Sequence, residues 1–312
     1  MSNRRQFNAT LLSAAALPLT ACVSAMPERP SMRIDCHAHV FTRALPMPDR
    51  RRAPAGYDAP PEDYLQQLDA HGMTHGVLVQ PSFLGTDNSY LLAALRRYPT
   101  RLRGIAVVDP SISAAELQGL QDAGVVGIRL NLVGLPTPDF ASAEWLSLLG
   151  ELRARQWQVE VHREARYLAS VIDPLIRSGV NVVVDHFGRP DAELGINDPG
   201  FRYLLRMGET RQVWVKLSGA YRNGSKGRGE ATALAAMPLL RSAYALDRLI
   251  WGSDWPHTLF EKTADYATQR RLLDTWLPDD ADRRIVLGKT AAQLYRFDHT
   301  SITATSANLL AR

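Results

Sequence analysis

From residue 32 onward, short apolar runs alternate with longer amphipathic ones. The short runs cover residues 32–36, 75–80, 102–108, 126–130, 158–161, 181–184, 213–216 and 248–251. They are rich in Val, Ile and Leu and do not alternate strictly with polar residues, as expected of parallel strands covered on both faces. The longer runs cover residues 61–71, 89–98, 114–123, 143–155, 168–178, 199–208, 230–244 and 265–277. The first opens with Pro61, Glu62 and Asp63, a composition suited to a helix start. Strand followed by helix, eight times over, predicts a single (β/α)8 barrel. A doubly wound open sheet is the alternative, but it does not favour eight equal units. Residues 290–295 read as a closing helix, so the barrel domain spans 32–297. The Ser/Thr/Ala-rich residues 298–312 read as a flexible tail.

The chain before the barrel has a different pattern. Arg4 and Arg5 precede an apolar stretch from Ala9 to Leu19, too short to span a bilayer but suited to a signal peptide. The paired arginines resemble a twin-arginine (Tat) export signal, and Leu19-Thr20-Ala21-Cys22 resembles a lipobox that would lipidate Cys22. Residues 1–21 are therefore expected to be a removed signal peptide, and 22–31 a tether. The mature chain would be periplasmic or anchored to a membrane through that lipid alone. A plain signal peptide with Cys22 incidental is the alternative. Cys22 and Cys36 are the only cysteines, so no disulfide framework forms if Cys22 carries lipid.

The 312 residues are 46% hydrophobic and 22% charged, ordinary for a globular enzyme-sized chain. Without Arg4 and Arg5, 34 basic residues face 32 acidic ones. That balance excludes a general nucleic-acid binder, and Arg50, Arg51 and Arg52 read as a solvated loop. A small-molecule substrate is the expected partner.

Working residues of such barrels lie at the C-terminal ends of strands. Strand one ends in His37-Ala38-His39, whose period-two spacing turns both imidazoles one way, as a metal needs. Strand five ends in His162, strand six in Asp185-His186, and strand eight runs into Asp254-Trp255-Pro256-His257. Five of the eight histidines thus end strands on one mouth of the barrel. His162 alone could be an ordinary packed histidine. His257, His71, His75 and His299 read as structural or surface residues.

This ordered set resembles the amidohydrolase superfamily, and more narrowly its amidohydrolase-related (amidohydrolase 2) family, over about residues 32–297. Gly85-Thr86-Asp87-Asn88, Gly127-Ile128-Arg129-Leu130-Asn131, Val184-Asp185-His186-Phe187-Gly188-Arg189-Pro190, Lys216-Leu217-Ser218-Gly219 and Trp251-Gly252-Ser253-Asp254-Trp255-Pro256-His257 resemble its 2-pyrone-4,6-dicarboxylate lactonase and sugar lactonase branch. The resemblance implies a barrel of the metallo-dependent hydrolase type. In metal-dependent members, residues matching His37, His39, His162 and Asp254 hold one divalent ion, here Zn or Mn, and the match to His186 orients water. In the dicarboxylate lactonases no metal is tightly bound, and the match to Asp254 activates water directly.

The chain departs from that branch in two ways. His162 stands where the dicarboxylate enzyme lacks a ligating histidine, and residues 127–135 hold one arginine where the branch has two. Arg129 and Arg222 are expected to bind a substrate anion, with rim salt bridging as the alternative reading. Tyr57, Thr86 and Asn88 are expected as loop donors to the substrate. The expected function is hydrolysis of a small lactone, with Asp254 as general base and His186 assisting. A metal-dependent decarboxylase and a non-catalytic, anchored ligand-binding barrel are the alternatives.

Overall fold

A computed structural model describes residues 31–48 and 56–297. The elements run β1 (Ile34–Ala38), α1 (Pro61–Ala70), β2 (His75–Val79), α2 (Ser89–Arg97), β3 (Leu102–Ala106), α3 (Ala114–Asp122), β4 (Val125–Asn131) and α4 (Ala143–Ala154). They continue with β5 (Gln158–His162), α5 (Leu168–Arg177), β6 (Val182–Val184), α6 (Pro199–Arg206), β7 (Val213–Leu217), α7 (Arg228–Tyr244), β8 (Leu249–Trp251) and α8 (Tyr266–Trp276). The eight strands pair in chain order, each neighbouring pair parallel. Between β8 and β1 the ring closes just past the strand ends. There His39 N–H donates to the Trp255 carbonyl and Asp254 N–H to the His37 carbonyl, both at 2.8 Å. The (β/α)8 expectation holds, and strand boundaries fall within two residues of the apolar runs.

Strand pleating explains the core. Along β5 and β7, Val159, Val161, Val213, Val215 and Leu217 pack in the large cluster shared with the helices. Inside the ring, Ile34, Cys36, Val77, Ile105, Val126, Val183, Trp214 and Ile250 form a second apolar cluster. Its lower end is filled by Ala291, Tyr295 and Phe297. The closing segment is longer than expected: α9 (Asp280–Arg284) and a π-helical turn, Ile285–Thr290, precede α10 (Ala291–Tyr295). Above this apolar floor the inward positions of β5 and β7 carry charge, Glu160 and Lys216, both fully buried. The outer helices use ordinary signals; Ser113 Oγ caps α3 by accepting from Glu116 N–H at 3.2 Å.

Two glycines let backbone approach the mouth. A Cβ on Gly252 would lie 2.5 Å from His37 Cβ. Gly219 has φ +51°, and a Cβ there would lie 2.8 Å from His186 Nδ1 and 2.9 Å from Asp254 Oδ2. His186, Phe187, Arg189, Asp254 and His257 also have positive φ without being glycine. Left-handed backbone costs such residues energy, which the packing around these strand ends must offset.

Residues 1–21, Cys22, Arg50–Arg52 and the 298–312 tail lie outside the described residues. Among the described residues, no helix is long and apolar enough to cross a membrane.

Candidate active site

The strand ends bring His37, His39, His186 and Asp254 together, all buried. His39 Nδ1 lies 2.7 Å from the Val79 carbonyl, which can only accept, so Nδ1 carries the proton and Nε2 a lone pair. His37 Nε2 lies 3.3 Å from His39 Nε2. Both Nε2 atoms lie 3.7 Å from Asp254 Oδ1. The other carboxylate oxygen, Oδ2, accepts from the Tyr221 hydroxyl at 2.6 Å and from Arg222 Nε. Oδ1 accepts no hydrogen bond among the described residues although it is buried. One oxygen is clamped and the other is left without a hydrogen bond. His186 Nδ1 lies 2.8 Å from Ser218 Oγ, and the Asn223 amide donates to the His186 carbonyl at 2.9 Å. A cavity opens beside His39, His186 and Asp254, lined also by Phe83, Arg129, His162 and Thr258.

Burial pushes the Asp254 carboxyl up, but the Arg222 guanidinium and the neighbouring imidazoles outweigh it and hold the group well below the usual carboxylate range. Burial lowers His37 to about 3, helped by the Lys216 ammonium, and His39 to about 3, helped by Arg129. Burial likewise depresses His186. At neutral pH Asp254 is therefore an ionised carboxylate beside neutral imidazoles.

His37, His39 and Asp254 each offer a ligand atom within 4.8 Å of the others, as do His37, Asp185 and His186. This His/Asp cluster could hold a metal ion, and the unpartnered, buried Asp254 Oδ1 is the kind of atom such an ion satisfies. His162 belongs to neither group. Its Nδ1 lies 3.2 Å from Arg129 Nη2 and its Nε2 lies 3.2 Å from Arg189 Nη1. A neutral imidazole has a single ring lone pair, so it accepts from one of these at most.

The expected substrate residues separate. Arg129 and Arg222 line the cavity. Each also has a carboxylate, Asp185 at 3.2 Å for Arg129 and Asp254 for Arg222, so the salt-bridging reading is the one the structure contains. Thr86 and Asn88 do not reach this cavity and line a different one beside α2 and α3. The Asn88 amide is consumed by backbone, donating to the Thr86 and Val107 carbonyls at 3.0 and 2.8 Å and accepting from Val107 N–H at 3.1 Å. Tyr57 is turned to Glu261, to which its hydroxyl donates at 2.8 Å. His257, read as structural or surface, is buried, 3.1 Å from the Tyr221 hydroxyl that holds Asp254.

Three residues carry roles that the strand-end pattern does not show. Tyr221 follows β7 by four residues and has no motif. Arg189 sits in the Gly188-Arg189-Pro190 turn; it is half-buried, donates from Nη2 to the Arg222 carbonyl at 3.4 Å, and pairs with no carboxylate among the described residues. It lines a second cavity that shares Arg222 with the first. Lys216 lies beneath His37, with Nζ 3.0 Å from His37 Nδ1, 2.7 Å from Glu160 Oε2 and 3.1 Å from Asp185 Oδ1.

A buried carboxylate within a histidine cluster, at the C-terminal mouth of a (β/α)8 barrel, defines the class: a barrel enzyme built for hydrolytic chemistry. The chain belongs to the amidohydrolase family, whose model matches residues 34–297. It is 34% identical over 239 residues to a 2-pyrone-4,6-dicarboxylate hydrolase of Comamonas testosteroni, covering 73% of this chain and 78% of that protein. It is 30% identical over 266 residues to a 4-sulfomuconolactone hydrolase of Rhizobium radiobacter, covering 84% and 89%. A citric-acid-bound Acinetobacter baumannii structure, described as a probable 2-pyrone-4,6-dicarboxylic acid hydrolase, superposes with a TM-score of 0.82 at 38% identity, covering 85% and 99%.

Proposed function

We propose that this protein hydrolyses a small lactone bearing a carboxylate or similar acid group. The observation that carries this reading is the half-clamped Asp254, whose open Oδ1 meets the cavity where Arg129 and Arg222 converge and Arg189 stands close behind. Two relatives that act on acidic lactones by name, and a similar structure with citric acid bound, support it.

The substrate's acid group pairs with Arg189 and Arg222 in a charge-assisted contact. Water sits against Asp254 Oδ1 and gives it a proton as the water oxygen attacks the ring carbonyl. His186, pinned by Ser218 and Asn223, orients that water. Collapse of the tetrahedral adduct breaks the ring C–O bond, and Asp254 returns the proton to the leaving oxygen. The depressed pKa of Asp254 keeps it ionised through the neutral range, at the cost of basicity. An anionic substrate that draws on Arg222 restores part of that basicity. A divalent ion at His37, His39 and Asp254, either Zn or Mn, would polarise the carbonyl and acidify water. The leader reading belongs to the same picture: a Tat-type signal would export the enzyme and Cys22 would anchor it, which a membrane-fraction assay of Cys22→Ser tests.

A panel of acidic and neutral lactones, followed by proton release, tests the activity. Ring opening confined to acidic members is expected. A folded enzyme that opens none, or that binds them without turnover, overturns the reading in favour of a binding barrel.

A further inference from the structure

We infer that Lys216 sets the tautomer of His37 and thereby opposes metal uptake at the His37–His39–Asp254 cluster; this deepens the reading of that same site as hydrolytic. An ammonium carries three donors and no acceptor. Lys216 Nζ meets His37 Nδ1 at 3.0 Å, so Nδ1 must be the accepting nitrogen and the ring proton must sit on Nε2. That proton points to His39 Nε2, 3.3 Å away. His39 Nε2 is free to accept because its own Nδ1 proton goes to the Val79 carbonyl at 2.7 Å. The chain of donors therefore runs one way, from Lys216 to His37 to His39 to Val79, with every donor matched to one acceptor.

A metal needs the opposite arrangement at His37. Ligation through Nε2 requires the proton on Nδ1, where a carboxylate or carbonyl should receive it. Asp185 Oδ1 stands ready, 3.5 Å from His37 Nδ1, but the Lys216 ammonium lies 3.1 Å from the same oxygen. Lys216 thus occupies the place where a cation would meet His37 and Asp185. Glu160 keeps it there at 2.7 Å, and the Tyr295 hydroxyl donates to the other Glu160 oxygen at 2.7 Å, so the ammonium is fixed from below. Metal loading must break the Lys216–His37 hydrogen bond and swing the His37 proton to the other nitrogen. Lys216 is a positioning residue in this scheme and touches no substrate.

The test reads tautomers and metal affinity, not turnover. In the metal-free full chain labelled with ¹⁵N-histidine, with His37→Gln to assign the signal, His37 is expected to show protonated Nε2 and bare Nδ1. Zn²⁺ titrated calorimetrically into wild type and Lys216→Met is expected to bind the variant at least about tenfold more tightly, the range typical of partners behind metal-ligating histidines. In the same variant, the His37 proton is expected on Nδ1. Lys216→Arg, which keeps a cationic donor, is expected to bind Zn²⁺ as weakly as wild type. A wild-type His37 protonated on Nδ1 overturns the inference, and this result does not need either Lys216 variant to fold. So does a folded Lys216→Met with unchanged affinity, or one that binds tighter while its His37 proton stays on Nε2, which would mean charge repulsion alone. None of these outcomes depends on which lactone is hydrolysed, so failure here is distinguishable from failure of the proposed activity.

Discussion

The two carboxylate oxygens of Asp254 have different surroundings. Oδ2 is held by Tyr221 and Arg222, and Oδ1 is buried, unpartnered and 3.7 Å from two imidazoles. Asp254→Asn keeps the shape but loses the proton acceptor and the counter-charge of buried Arg222, so kcat measured on the folded fraction should fall roughly a thousandfold. Tyr221→Phe removes one clamp and should lower kcat by less, with KM nearly unchanged. Arg189 gives a separate prediction. Its guanidinium pairs with no carboxylate among the described residues, so Arg189→Met should raise KM for an acidic lactone roughly 10- to 100-fold while leaving neutral lactones unaffected. Steady-state kinetics on matched acidic and neutral substrates separates these effects. At this scale, His37, His39, His186 and Asp254 are legible in the sequence, because each ends an apolar run that must be a strand. Arg189 and Tyr221 are not. They follow turns whose path depends on left-handed backbone at His186, Phe187 and Arg189 and on Gly219, which periodicity does not encode.

At the scale of elements, all eight strands and eight barrel helices can be read from apolar runs alone. The interior of the barrel cannot. β5 and β7 send Glu160 and Lys216 inward, and a charge inside a strand reads as solvent-facing until its partner on another strand is known. Their pairing across the barrel is a tertiary fact. The same limit applies to the loop after β2, where Asn88 looks like a free donor but spends its amide on Thr86 and Val107. Gly219 shows how closely the β7 end presses on the site. Gly219→Ala places a methyl within 3 Å of His186 and Asp254 on a left-handed residue. It should cost at least about 1–2 kcal/mol of stability from backbone alone. Activity should drop further than that loss explains, as judged by thermal melts and kcat measured on the folded fraction.

For the molecule as a whole, burying neutral histidines ties stability to pH. His37 and His39 sit at about 3 and His257 at about 4, against an ordinary 6.5. The unfolded chain takes up these protons as pH falls through 6.5, while the folded chain does not until far lower. Their contribution is thus fully present above 6.5 and is lost as pH falls toward 3–4. Asp35 runs the other way. Burial raises it to about 6 from 3.8, so its contribution is fully present below 3.8 and is lost as pH rises toward 6. Three histidines outweigh one carboxyl, so Tm in chelator should fall between pH 7 and 5; a Tm that rises over that interval contradicts this balance.

The most direct test of lactone hydrolysis at Asp254 is a side-by-side rate measurement on an acidic lactone. Wild type and Asp254→Asn would be compared with proton release and carbon dioxide recorded together. Wild type should release one proton per ring opened and no carbon dioxide, and Asp254→Asn should release protons roughly a thousandfold more slowly. Carbon dioxide from wild type, or ring opening in Asp254→Asn at close to the wild-type rate, would contradict it.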